Sequence, residues 1–407
     1  MTICQLISKI EQIEGDNRVT DKDKVIVDEI KKFVSSNPSG LSNLLNEISQ
    51  NHNLLGSSTI GRLIEENVVT DDDLLRRVRI RSPFIDALGT KLTTKVFDEP
   101  SDLTKIGHLS TEIYFWGIPA SGKSCAIGAI LSMASKGYIP QAKAFVDHRC
   151  QGYDYMMQLC EMFLEDENVK PLPMGTPVKY TYEMSFDIID DQHQVHPITF
   201  IDMAGELIRC MYKKNAGQNL TDEEEKALKT VTDLLMDNRS ENQKLHFFVL
   251  EYGGHNRYFG NLTQLALLRG AITYLNSIPT PGSNETFNVF EEKTDGIYLL
   301  VTKVDKAGVP LTKLRHHLEK YIHGPLGYQG IGNLLQEICE KYNINNRELE
   351  IVPFSLGEVC FKNYCIFNGR HTADIIDILV TRTWHYSEWL SKWWAQPITW
   401  FINFLKS

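Results

Sequence analysis

Residues 117–124, Gly-Ile-Pro-Ala-Ser-Gly-Lys-Ser, set two glycines, a lysine and a hydroxyl at the spacing Gly117-x4-Gly122-Lys123-Ser124. This is the chemistry of phosphate binding. Backbone amides turned inward around an anion supply aimed donors, and glycine permits both the backbone angles and the close approach. A lysine placed there bridges phosphate oxygens, and the serine hydroxyl after it joins Mg²⁺. Downstream, Asp202-Met203-Ala204-Gly205 offers a carboxylate that can hold Mg²⁺ through water. Three residues on, its glycine offers an amide that can sense a terminal phosphate. Thr302-Lys303-Val304-Asp305 offers a carboxylate suited to a base. Guanine presents two adjacent donors, N1–H and the exocyclic amine, and one carboxylate accepts both; adenine presents an acceptor at N1 and is repelled. The Lys303 stem can lie along the base. Ser355-Leu356-Gly357 adds backbone amides for guanine O6, and reads equally well as an ordinary Ser/Gly turn.

These groups act together only if rigid elements hold them. Short apolar runs supply such elements: Ile113–Trp116, Ile198–Ile201, Phe247–Leu250, Ile297–Val301 and Ile351–Phe354. Each ends just before one of the polar stretches or in the segment between them. Strands that alternate with helical stretches imply a parallel sheet covered by helices on both faces. After the glycine-rich loop, Ile127, Ile130, Leu131 and Ala134 keep helical spacing, and the small residues Ala126, Gly128 and Ala129 let that helix lie close to the sheet. Residues 221–238 and 260–278 read as further helices, the first capped by Thr221 or Asp222 and the second ended by Pro279 and Pro281. Upstream, Ile26, Ile30 and Phe33, with Val27 and Val34 beside them, mark one apolar face of a helix. The expected organisation is a helical N-terminal domain over 1–105, an α/β domain over 106–383 and a Trp-rich segment over 384–407. No internal repeat is present.

Taken together these motifs resemble the P-loop GTPases of the translation-factor and Ras-like class. The resemblance implies a mostly parallel Ras-like sheet of about six strands, with Mg²⁺ and GTP or GDP as cofactors. It implies that Gly117, Ala120, Ser121, Gly122, Lys123, Ser124 and Cys125 cradle phosphate. Ser124, Asp202 and a switch threonine would serve the metal, Gly205 the γ-phosphate, and Thr302, Lys303, Asp305, Ser355 and Leu356 the base. For the switch threonine, Thr176 lies in the Pro-rich loop "PLPMGTPVKY" and Thr181 where strand is expected; the loop position favours Thr176. Thr302 stands where asparagine is commoner. Glu206 follows Gly205 where many members have the glutamine that orients water, and its charge would be repelled by the γ-phosphate, so slow hydrolysis is expected. Arg149 and Arg209 are weak candidates for a built-in arginine finger. Long segments at 139–172, 207–245 and 254–292 separate the motifs and suit partner contacts. Two other readings stay open: a P-loop kinase acting on a small molecule or polynucleotide, which shares Gly-x-Pro-x-Ser-Gly-Lys, and a nucleotide-binding scaffold that hydrolyses nothing.

Bulk properties narrow the setting. The chain of 407 residues carries a formal net charge of -10, which argues against general nucleic-acid binding. Its eight cysteines include no Cys-x-x-Cys pair and read as reduced thiols of a cytoplasmic protein. The N-terminal stretch lacks signal-peptide character, and no apolar run reaches membrane-span length. The final segment holds Trp384, Trp389, Trp393, Trp394 and Trp400, five of the six tryptophans. Such a segment packs on protein or lies at a membrane interface; with only Lys392 and Lys406 near it, protein packing is favoured over a peripheral membrane contact. The expected protein partner would meet the N-terminal helices or the long insertions. His316-His317 cannot share one helical face and is discounted as a metal pair. Cys360-x4-Cys365, in an expected hairpin, is discounted as a zinc site for want of partners.

Overall fold

In a computed structural model of the chain, the described residues are 1–16, 18–78, 102–137, 139–163, 169–173, 175–237, 241–280, 282 and 284–388. The chain divides into two compact units. One comprises Met1–Lys95, Glu165–Leu172 and Gly357–Asn368; the other comprises Val96–Leu164, Pro173–Leu356 and Gly369–Ser407.

The first unit is built on helices α1 (Ile3–Gly15), α2 (Lys22–Ser36), α3 (Gly40–Gln50), α4 (Ser57–Glu65) and α5 (Asp71–Arg77). Local signals start them. Thr2 and Thr70 each form a reciprocal capping box, with Gln5 and Asp73 respectively, which satisfies amides that have no partner inside the helix. Ile26, Val27, Ile30 and Phe33 of α2 are buried together with Leu6, Ile10, Leu44, Leu45, Ile60 and Leu63. An antiparallel hairpin of Gly357–Cys360 and Tyr364–Phe367, with Lys170–Pro171 along its edge, belongs to the same unit. No composition break in the sequence marks these two distant contributions.

The second unit is a mixed α/β structure around one seven-stranded sheet. Its strands are β1 (Thr111–Trp116), β2 (Ala144–Asp147), β3 (Thr181–Ile189), β4 (Val195–Met203), β5 (Lys244–Glu251), β6 (Gly296–Thr302) and β7 (Glu350–Pro353). Their order is β7-β6-β5-β1-β4-β3-β2. Four of the six pairings are parallel; β3 with β4 and β2 with β3 are antiparallel. The mostly parallel sheet agrees with expectation, with one strand more than the resemblance implies. The additional edge is β2, a short strand of half-buried and exposed residues, which leaves no apolar run to read. By contrast β1, β5 and β6 are buried along their whole length, as strands covered on two sides are.

Helices α6 (Lys123–Lys136), α7 (Tyr153–Cys160), α8 (Glu206–Asn215), α9 (Asp222–Asp237), α10 (Gln264–Leu275), α11 (Leu311–His323), α12 (Gln329–Tyr342) and α13 (Arg370–Arg382) surround the sheet. Ala126 and Ala129 of α6 are fully buried. Gly128 serves a different contact from the one expected: a Cβ there would lie 2.9 Å from the Phe163 ring and 3.4 Å from Leu159. Its small size admits α7 and the segment after it, not the sheet. Among the described residues no helix is long and apolar enough to cross a membrane. Trp389, Trp393, Trp394 and Trp400 lie outside the described residues; Trp384 is described, and its amide donates to Gln243 Oε1 at 2.9 Å.

Candidate nucleotide site

The sheet order reverses at β1, which has β4 on one side and β5 on the other. Loops leaving the carboxyl ends of strands on either side of such a reversal diverge and leave a crevice, the usual ligand position in open parallel sheets. Each motif singled out above leaves one of these strands at that end. Residues 117–122 follow β1, Asp202 is the penultimate residue of β4, Thr302 closes β6, and Ser355 follows β7.

The glycine-rich loop is shaped by its own backbone. Ala120 and Gly122 both have positive φ, 58° and 95°, a region costly for most residues and open to glycine. Lys123 and Ser124 start α6, whose first turn also contains Cys125. The Lys123 ammonium donates to Gly117 O at 2.8 Å and to Ile118 O at 3.4 Å, so it lies across the loop. Burial pushes its pKa down, opposed by the charges of Asp202 and Glu206.

Three remote segments converge on Asp202. Its Oδ2 accepts from Ser124 Oγ at 3.2 Å, Thr176 Oγ1 at 3.1 Å and the Tyr155 hydroxyl at 2.9 Å. The Ser124 and Thr176 hydroxyls are 3.4 Å apart. Asp202 is fully buried, and its other oxygen, Oδ1, has no hydrogen-bond partner among the described residues. Burial raises its pKa against the pull of Lys123 and the three hydroxyls. A carboxylate and two hydroxyls in one small volume form a hard-oxygen donor set, and a buried carboxylate oxygen lacking a partner is costly unless a ligand meets it. These residues fit Mg²⁺. Thr181, the alternative switch threonine, is buried at the start of β3, where its carbonyl accepts from Gln151 at 2.9 Å. Tyr155 carries no sequence signal: it lies within the long segment 139–172, and only folding of α7 brings its hydroxyl to Asp202.

Gly205 caps α8 and abuts the glycine-rich loop directly. A Cβ on it would lie 2.2 Å from Pro119 N and 2.5 Å from Ile118 C. Glu206 is the first residue of α8 and is half-buried. Arg209 pairs with Glu224 at 3.2 Å, and Arg149 lies over the Tyr153 ring at 5.6 Å.

On the other side, residues 302–305 hold the loop as well as the face beside it. Thr302 Oγ1 donates to Ser121 O at 2.5 Å, and its methyl would lie 3.3 Å from a Cβ on Gly122. Lys303, at φ 58°, donates to Ala120 O at 3.1 Å. Its ammonium also pairs with Glu251 at 2.9 Å, and Glu251 further binds Arg257 at 2.7 Å and Lys306 at 3.1 Å. Burial alone would raise the Glu251 pKa, but the Lys303 and Lys306 charges outweigh it and lower it. Glu251 was not singled out from the sequence; its position, an acid closing the buried run 244–250, is the signal that could have found it. Asp305 is exposed in the 3-10 turn Val304–Ala307. Phe354 N donates to Val301 O at 2.8 Å and Val304 N donates to Phe354 O at 3.2 Å, which sets Ser355 and the buried Leu356 beside that turn.

No family model matches the chain, and no curated protein matches it. Among solved structures, the chain is similar to nucleolar GTP-binding protein 1 of Plasmodium falciparum, at 14% identity, covering 75% of this chain and 97% of that one with a TM-score of 0.29. It is also similar to the S. cerevisiae Ski7 GTPase-like domain bound to GTP, at 14% identity, 61% and 43% coverage and a TM-score of 0.24. A third is Methanosarcina barkeri Roco2 RocCORdC bound to GDP, at 11% identity, 72% and 55% coverage and a TM-score of 0.24. The chain spans less than two thirds of the last two. With every score below 0.5, these likenesses carry no weight in the reading of the site, which rests on the geometry above.

Proposed function

We propose that the chain binds GTP and GDP with Mg²⁺, hydrolyses GTP slowly, and uses the difference between the two states to regulate association with another protein. The observation that carries this reading is the meeting of Ser124, Thr176 and Asp202 beside the glycine-rich loop, from three segments remote in sequence. Phosphate cradle, metal donors and base carboxylate then lie along one edge of a single sheet.

The residues act as follows. Amides of residues 120–125 and the N-terminal end of α6 receive the phosphates. Lys123 exchanges its contacts with Gly117 O and Ile118 O for phosphate oxygens, which removes the cost of burying its charge among carbonyls alone. Ser124, Thr176 and Asp202 would hold the ion with their two hydroxyls and carboxylate. Mg²⁺, when bound, offsets the phosphate charge. Thr176 and the Gly205 amide bind only while the γ-phosphate is present, so its loss releases both segments. Asp305 accepts the two guanine donors, with Lys303 along the base. Glu206 orients a water molecule.

Calorimetric titration of the full chain with GTP, GDP and ATP, with and without Mg²⁺, tests this. GTP and GDP are expected to bind and ATP is not. Asp305→Asn removes one acceptor and should move preference from guanine toward xanthine nucleotides. Tight ATP binding without GTP binding overturns the reading in favour of a P-loop kinase.

A further inference from the structure

Independently of the nucleotide reading, the first unit brings together three side chains that no local motif joins. Glu358 and Cys360 are two residues apart on the strand Gly357–Cys360, so both side chains point to one face. His52, in the turn after α3, lies over that face. Its Nδ1 is 3.2 Å from Cys360 Sγ. The His52, Glu358 and Cys360 donor atoms all lie within 4.8 Å of one another.

The arrangement is held by backbone as well as side chains. Phe361 N donates to His52 O at 3.0 Å and Ser57 N to Phe361 O at 3.1 Å. Lys362 N donates to Asn53 Oδ1 at 2.9 Å, and Asn363 Nδ2 to Ser57 Oγ at 2.8 Å. Phe361 and Lys362 take positive φ, 50° and 62°, in the tight turn that follows Cys360. A turn held in that sparse region needs its surroundings to fix it. The segment 52–57 and the hairpin turn are therefore locked in register before any ligand arrives.

We propose that His52, Cys360 and Glu358 form a zinc site, with water as the fourth ligand, that staples the hairpin to the helices of the first unit. A thiolate, an imidazole and a carboxylate form a mixed S/N/O set that suits Zn²⁺ and fits Mg²⁺ or Ca²⁺ poorly. In a tetrahedral zinc site, bond lengths of about 2.0–2.3 Å put neighbouring donors about 3.3–3.6 Å apart. The His52–Cys360 pair is already close to that spacing. Glu358 is exposed and Cys360 is buried, so the ion enters from the carboxylate side and the acid closes over it. Binding exchanges the S–H bond for a Zn–S bond, and the proton passes to solvent, so affinity rises with pH.

The test uses the full chain, freed of metal by chelation and titrated with Co²⁺, then with Zn²⁺. The expected result is one equivalent of Co²⁺ giving a thiolate charge-transfer band and tetrahedral d–d bands, both abolished by Zn²⁺. His52→Ala should weaken Co²⁺ binding roughly a hundredfold or more, at the top of what loss of outer-shell support alone costs. Cys365→Ser, in the same hairpin, should leave the bands unchanged. Absence of a thiolate band in the wild-type chain overturns the proposal. So does a band that survives in Cys360→Ser or vanishes in Cys365→Ser, with circular dichroism showing each variant folded.

Discussion

Gly205 and Glu206 show how much depends on single residues. Gly205 is needed for space: any side chain there meets the backbone of Ile118 and Pro119, which cannot swing away as a side-chain tip can. Gly205→Ala should therefore lower stability by about 1–3 kcal/mol and distort the loop, measured as a lowered unfolding midpoint together with weakened nucleotide binding. An unchanged midpoint would show that the two segments separate freely. Glu206 puts a carboxylate where a γ-phosphate would approach, on the proposed reading. Single-turnover hydrolysis by the wild-type chain should be slow, and Glu206→Gln should speed it; fast wild-type turnover contradicts the assignment. Ser124, Asp202 and Asp305 were legible because each follows an apolar strand at a fixed spacing. Tyr155 and Glu251 were not singled out. Tyr155 belongs to no motif. Glu251 resembles any acid that closes a strand, and only its three cationic partners, Arg257, Lys303 and Lys306, set it apart.

At the scale of elements, β1 and β5 share a buried polar seam. Glu112 is fully buried and accepts from the Tyr114 hydroxyl at 2.7 Å and from Asn242 Nδ2 at 2.7 Å. Lys244, equally buried, lies 3.9 Å from the same carboxylate. Burial lowers the lysine's pKa, and the glutamate charge opposes the shift. Removing one partner of a buried pair strands the other charge. Glu112→Gln should cost about 3–5 kcal/mol, read by denaturant unfolding. Adding Lys244→Met should recover much of that loss, because an apolar side chain has no charge to strand. The five parallel strands were readable as apolar runs, though not to their full lengths, and this seam was not: Glu112 and Lys244 are far apart in sequence, and only the parallel register opposes them.

For the molecule as a whole, one buried imidazole, His246, carries a pH-dependent contribution to stability. Its imidazole is buried on β5; Trp116 Nε1 donates to Nδ1 at 2.9 Å, and Nε2 is 3.3 Å from Lys293 O. The neutral Nε2–H tautomer satisfies both contacts, whereas a proton on Nδ1 would face the indole N–H. Burial lowers the pKa to about 4. The unfolded chain thus takes up the proton first. The contribution is complete above the unfolded value of 6.5, and falls as pH drops toward about 4. At pH 5 the loss is about 2 kcal/mol. Denaturant unfolding at pH 7 and pH 5 should show it, and His246→Gln should flatten the difference. A His246→Gln chain with the same difference between pH 7 and pH 5 as the wild type would contradict the assignment.

By itself the sequence determined the α/β class, the five parallel strands and the chemical character of the glycine-rich loop, because periodicity and turn chemistry are local. Only tertiary structure decided which hydroxyls reach Asp202, that Thr302 and Lys303 hold the loop, and that His52 meets Cys360. Those pairings span 26 to 308 residues, and contacts over such separations come from strand order and packing, which no window of sequence contains.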